Sequence, residues 1–195
     1  MKHGFVIDLD RCIGCKGCQV ACKQENGVAL GANRTLVRTV GPMGSYPDVQ
    51  MYFLPTPCQQ CADPPCVQVC PTGACWQNRE EGVVLIDREQ CIGCRSCGEA
   101  CPYQAMDKCD TCIAARAQGE LPACVRNCAG GALRFGDLDD PESEVSRLLA
   151  SVPAEKVHSL RDFGNGPSIR YILRRDKWVD ALPQELETAK GGRNG

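Results

Sequence analysis

Histidine occurs only twice in the 195 residues, at His3 and His158, and aromatic residues number only 10. No nucleophile–base constellation can be assembled from so little imidazole. So few large rings also give little material for an ordinary hydrophobic core, so something besides side-chain burial has to hold the chain together. Long apolar runs are missing. Val83-Val84-Leu85-Ile86 is among the longest, far short of the ~20 residues that span a bilayer. A net charge of −2 offers no basic face for nucleic acid. Neither a Walker loop nor a dinucleotide fingerprint is present, and Gly164-Asn165-Gly166-Pro167 fits neither. The opening Met1-Lys2-His3-Gly4-Phe5 carries no apolar signal segment and no twin arginine. The expected location is the cytoplasm, or export only in complex with a signal-bearing partner.

Cysteine is what the chain does have, 17 of them. Four groups stand out: Cys12, Cys15, Cys18, Cys22; Cys58, Cys61, Cys66, Cys70; Cys91, Cys94, Cys97, Cys101; and Cys109, Cys112, Cys124, Cys128. The first and third read C-x2-C-x2-C-x3-C, and the other two stretch the same pattern. Disulfides fit badly, because three cysteines at such spacing leave one unpaired and the odd total leaves a spare. A zinc knuckle uses one C-x2-C pair and a second pair after a longer loop, so the third cysteine would be surplus. A cubane iron–sulfur cluster needs three closely spaced thiolates and a fourth from elsewhere. The triple supplies the wrap, and the trailing cysteine ligates the other cluster of a pair. Clusters saturated by thiolates leave no iron open to substrate, so the chemistry available is one-electron transfer and the chain is not an enzyme by itself.

The surrounding residues agree. Gly14, Gly17 and Gly93 let backbone N–H groups approach the ligand loops. Pro71 and Pro102, each after a trailing cysteine, suit the first position of a helix. Ile7–Cys22 and Ile86–Cys101 repeat at an offset of 79 residues with nine of sixteen positions identical. Each follows a short β-like run, Phe5-Val6-Ile7 or Val83–Ile86. Thr72-Gly73-Ala74 and Gly130–Phe135 read as turns into returning strands. The resulting class is α+β, two bacterial two-cluster ferredoxin-like modules, duplicated, with long connecting loops. Residues 1–24 and 102–135 form the outer module and 58–101 the inner one. Residues 25–57, with Pro42, Pro47, Pro55 and Pro57, form an extended or looped linker. Residues 136–195 form a C-terminal partner-docking tail, with a helix start at Asp140–Ser143, a strand within Pro167–Leu173 and a flexible Lys190–Gly195 end.

At this point the chain resembles the iron–sulfur subunits of the dimethyl sulfoxide reductase family. The resemblance is carried by I-D-x-x-x-C-I-G-C, Pro57–Val67, Cys70–Ala74, Leu121–Val125, Phe135–Leu138 and Gly166–Tyr171. It implies four [4Fe–4S] clusters. The first would be held by Cys12, Cys15, Cys18 and Cys128, and the second by Cys22, Cys109, Cys112 and Cys124. The third would be held by Cys58, Cys61, Cys66 and Cys101, and the fourth by Cys70, Cys91, Cys94 and Cys97. It also implies a large molybdopterin (Mo or W) catalytic subunit as partner, nearest the first cluster. A membrane-anchored quinone subunit, a cytochrome or a soluble carrier would stand at the other end. The competing readings are a four-cluster subunit of a formate dehydrogenase or hydrogenase complex, and a free polyferredoxin.

Other residues have plain roles. Cys75 fits no quartet and is expected as a buried free thiol. Trp76 is expected in packing, and His3 and His158 at the surface. Lys16 and Arg95, at matching repeat positions, read as solvated loop charges. The acidic run from Asp137 to Glu144 reads as a solvated helix N-terminus.

Overall fold

The computed structural model describes residues 2–105 and 107–180. In chain order its elements are β1 (His3–Asp8), α1 (Gly17–Glu25), β2 (Thr35–Met43), β3 (Gln50–Pro57), α2 (Pro65–Gln68), β4 (Cys75–Gln77), β5 (Val84–Ile86), α3 (Ser96–Glu99), α4 (Ile113–Arg116), α5 (Ala123–Arg126), β6 (Leu133–Asp137), α6 (Glu144–Ala150), β7 (Val157–His158) and β8 (Arg170–Ile172). Mixed short helices and strands make the class α+β. Among the described residues no helix is long and apolar enough to cross a membrane.

The main sheet has the order β6-β1-β8-β7. Strand β1 pairs antiparallel with β6, setting Phe5 opposite Phe135, and parallel with β8, setting Ile7 opposite Tyr171. Side chains alternate across a strand. Phe5 and Ile7 therefore join Phe135, Leu160, Ile169 and Tyr171 in the larger core. Val6 turns the other way, against Val145, Val152 and Ile172 under α6. Both faces are covered, so Phe5, Val6 and Ile7 form one continuous buried run rather than an alternating one. Helix α6 begins where Asp140–Ser143 implied: the Ser143 hydroxyl accepts the Ser146 N–H at 3.2 Å and caps its first turn.

The sequence repeat is visible in the backbone. Lys16 before α1 and Arg95 before α3 both take left-handed conformations, φ 60° and φ 66°, and both side chains are exposed as expected. That single reversal lets the chain leave a ligand loop and enter a helix whose first turn carries the next thiol. At Gly14, φ is +66° and an added Cβ would lie 2.6 Å from the Phe53 ring, so only glycine fits beneath β3.

Several expectations need correction. Pro71 and Pro102 start no helix; they lie in turns, and the short helices α2 and α3 precede the trailing cysteines instead. The segment 25–57 is extended over much of its length, as expected, but it also pairs with itself. From Thr35 onward it folds into the antiparallel hairpin β2–β3, with Val40 opposite Tyr52, and the Val37 N–H donates to Gln19 Oε1 at 2.8 Å. In the tail, the strand expected within Pro167–Leu173 is β8, which lies in the sheet between β1 and β7 with Tyr171 fully buried. Gln59 Nε2 donates to the Tyr171 hydroxyl at 3.2 Å, and the Ser168 hydroxyl donates to the Gln60 carbonyl at 2.6 Å. Trp76 is 43% exposed rather than packed. His3 and His158 are partly buried, not at the surface: His3 stacks on Phe135, and His158 on Trp178 with ring centroids 4.9 Å apart. The Lys190–Gly195 end lies outside the described residues.

Candidate metal centres

The sixteen cysteines outside Cys75 come together in four groups of thiols, each drawing on segments far apart in sequence. In the first, burial raises the Cys18 thiol to about 12, and charge on Cys12, Cys128 and Cys15 pushes it the same way. These four thiols line one small hollow, whose walls include Ile13, Val37 and Leu133. The Ala132 N–H donates to Cys128 Sγ at 3.1 Å.

In the second group burial raises Cys22 to about 11, opposed by Arg34 and reinforced by Cys112. Burial also raises Cys109 and Cys124, and each is pushed further by the charge of Cys22. The Asn26 amide donates to Cys22 Sγ at 3.8 Å and to Cys112 Sγ at 3.7 Å.

The third group joins Cys58, Cys61, Cys66 and Cys101. Burial lifts Cys61 to about 12; Cys58, Cys101 and Cys66 add to this, while a hydrogen bond from Asn165 opposes it. That bond, Asn165 Nδ2 to Cys61 Sγ, is 2.9 Å long. The fourth group, Cys70, Cys91, Cys94 and Cys97, lines another small hollow, with Pro71, Ile86 and Ile92 in its walls. The Cys75 N–H donates to Cys70 Sγ at 3.3 Å and the Ser96 hydroxyl to Cys94 Sγ at 3.4 Å; both bonds lower the thiol they reach. Cys75 is buried, as expected, and its S–H donates to Cys66, which holds the Cys66 thiol below its usual range.

Each group adjoins the next in order. After burial, charge on Cys18 raises Cys124, charge on Cys58 raises Cys109, and charge on Cys66 raises Cys97, so the first group neighbours the second, the second the third, and the third the fourth. Exposure follows that order. Cys15 at one end and Cys91 and Cys94 at the other are exposed, whereas Cys22, Cys109 and Cys112 and Cys58, Cys61 and Cys66 between them are buried.

Among the described residues no three Cys, His, Asp or Glu side chains converge tightly enough to hold a single metal ion. Four thiols that surround a hollow without converging on one point suit a polynuclear cluster, not a tetrahedral ion with donors ~2.3 Å from one centre. Thiols raised by burial and by one another bind iron only as they give up protons to it, so loading is coupled to proton release. Sequence reasoning missed Asn26, Lys108 and Asn165, whose side chains approach these groups from elsewhere in the chain. Asn165 lies in a Gly-Asn-Gly-Pro turn and is only 5% exposed, a burial that nothing in the sequence announces.

Known proteins agree with the geometry. Residues 49–138 match a family model described as a 4Fe-4S dicluster domain, and residues 3–24 one described as a 4Fe-4S binding domain. The chain is 42% identical over 163 residues to Protein NrfC of Escherichia coli (strain K12), covering 78% of this chain and 73% of that protein. It is 39% identical over 200 residues to a tetrathionate reductase subunit of Salmonella typhimurium, covering 96% of this chain and 79% of that one. A polysulfide reductase component of Wolinella succinogenes is 42% identical over 164 residues, 78% of this chain and 85% of that one. The chain therefore belongs to the iron–sulfur electron-transfer subunits of the molybdopterin oxidoreductases, the dimethyl sulfoxide reductase family.

Proposed function

We propose that this subunit carries four [4Fe–4S] clusters in the order of the four thiol groups and relays single electrons along them. The first is held by Cys12, Cys15, Cys18 and Cys128, the second by Cys22, Cys109, Cys112 and Cys124, the third by Cys58, Cys61, Cys66 and Cys101, and the fourth by Cys70, Cys91, Cys94 and Cys97. The observation that carries this is the order itself: exposed thiols at its two ends and buried ones between. Electrons can enter and leave only where a partner reaches a cluster, and the buried middle is shielded from stray oxidants. When bound, the clusters supply reversible one-electron chemistry. The protein's own part is to fix their order, exclude water and aim N–H donors at the sulfurs.

On this reading the chain is two ferredoxin-like modules, 1–24 with 102–135 and 58–101. It catalyses nothing alone, and its first cluster faces the pterin of a large molybdopterin catalytic subunit. Two of the relatives carry the names of tetrathionate and polysulfide reductases. A catalytic partner acting on sulfur compounds is therefore the class we assign. The opposite end meets a quinone-linked membrane subunit, a cytochrome or a soluble carrier. The complex is assembled in the cytoplasm and remains there or is exported with its catalytic partner.

Anaerobic isolation of the native complex tests this. The expected result is about sixteen iron and about sixteen acid-labile sulfide per copy of this chain, together with a molybdopterin-containing large subunit. A free, iron-loaded monomer that reduces partners by collision would make the protein a polyferredoxin. Zinc in place of iron would overturn the cluster reading altogether.

A further inference from the structure

Two cations reach the interior of the row of thiol groups, and they are treated differently. Arg34 lies beside Cys22, but its charge is neutralised: its guanidinium meets Asp107 at 3.3 Å and Asp110 at 2.9 Å. Lys108 is 3% exposed and has no such partner. Its ammonium donates to two backbone carbonyls, Ala105 at 2.6 Å and Cys97 at 3.3 Å, and no carboxylate among the described residues pairs with it. A buried, unpaired positive charge is costly. The groups placed to offset it are thiols: Cys58, Cys66 and Cys101 of the third group, and Cys97 of the fourth.

We propose that Lys108 is a potential-setting residue, a fixed positive charge that raises the reduction potential of the third cluster most and of the fourth less. A cluster ligated by four thiolates carries a charge of roughly −2 when oxidised and one more negative charge when reduced. A nearby cation stabilises the reduced state more than the oxidised one. Three of the four thiols in its field belong to the third cluster and one to the fourth, so the third feels it most. The electron comes from a neighbouring cluster, whose iron is oxidised as the third is reduced. The third cluster then becomes a resting place inside the row. Asn165, donating to Cys61, acts in the same direction from the opposite side.

This inference rests on the four-cluster reading, and the test separates the two. Redox titration of the isolated complex, followed by electron paramagnetic resonance, gives both the number of clusters and each midpoint. Lys108→Met is expected to keep the iron content and shift the one-electron equilibrium of the third cluster toward oxidation at least tenfold, or 59 mV. The fourth should move less and the first not measurably. Lys108→Arg should restore the wild-type midpoint. Lys108→Gln keeps N–H donors for the two carbonyls without the charge and decides the matter if Lys108→Met loses iron. An iron-replete neutral variant with unshifted midpoints overturns the proposal. So does loss of the third cluster from both neutral variants, which would make Lys108 structural. Fewer than four clusters in the wild type would count against the cluster reading, not against Lys108.

Discussion

The two sides of this molecule are built on different physics. On one side, β1, β6, β8 and α6 close over Val6, Val145, Val152 and Ile172, an aliphatic core with no thiol in it. On the other, α2, β4, β5 and α3 are elements of three or four residues, and the cluster they bury is Cys66, Cys75 and Val84. The first side meets the ordinary requirement that packed apolar area offset chain entropy. The second falls short of it, and ligation has to supply the difference. Where hydrocarbon is available the chain forms a sheet. Where it is not, the thiols act as the core. Between them, the larger core mixes both kinds, with Phe5, Ile7 and Tyr171 in one cluster with Cys18, Cys58, Cys61 and Cys109.

The comparison breaks most visibly when iron is removed. Chelation under reducing, anaerobic conditions should cost amides in residues 65–101 at least about 100-fold of their hydrogen-exchange protection, equivalent to about 2.7 kcal/mol. Those of β1, β6 and β8 should lose much less. Equal loss on both sides would mean that the sheet, too, is held by its metals. The next largest effect belongs to Tyr171→Ala. It empties a fully buried ring site beside Gln59 and should destabilise the loaded protein by about 3–5 kcal/mol, read from thermal or denaturant unfolding. Asn165→Ala comes below that. It removes the donor to Cys61 and leaves the Tyr103 hydroxyl short of a partner, for a cost of about 1–3 kcal/mol and a lower midpoint for the third cluster. Smallest is Ser143→Ala, which uncaps α6 and should cost about 1 kcal/mol with every cluster spectrum unchanged. A spectral change there would show that the two sides are more tightly coupled than their packing suggests.

What could be read in the sequence divides along the same line. Ligand loops are local: C-x2-C-x2-C spacing fixes three thiols within one turn and needs no tertiary information. The start of α6 and the strands β1, β5, β6 and β8 are likewise announced by caps and β-branched runs. The hairpin β2–β3 is hidden by Pro42, Pro55 and Pro57, which argue against a central strand; a two-stranded ribbon has only edge strands, where proline is tolerated. The place of β8 is hidden for another reason. Its pairing with β1 joins Ile7 to Tyr171, and nothing in the residues Arg170-Tyr171-Ile172 says which strand they seek. Lys108 and Asn165 escape notice on the same ground. A lysine and an asparagine carry no sign of burial until the fold brings distant thiols to them.

The central claim is that the trailing cysteine of each group serves the neighbouring cluster, so that the four clusters are stitched together in pairs. Cys70→Ser tests it most directly, by comparing its low-temperature paramagnetic resonance spectrum with those of Cys91→Ser and Cys58→Ser. The account predicts that the signal lost or altered is the one lost in Cys91→Ser, with the cluster of Cys58, Cys61 and Cys66 intact. If Cys70→Ser instead reproduces the spectrum of Cys58→Ser, the crossed assignment is wrong.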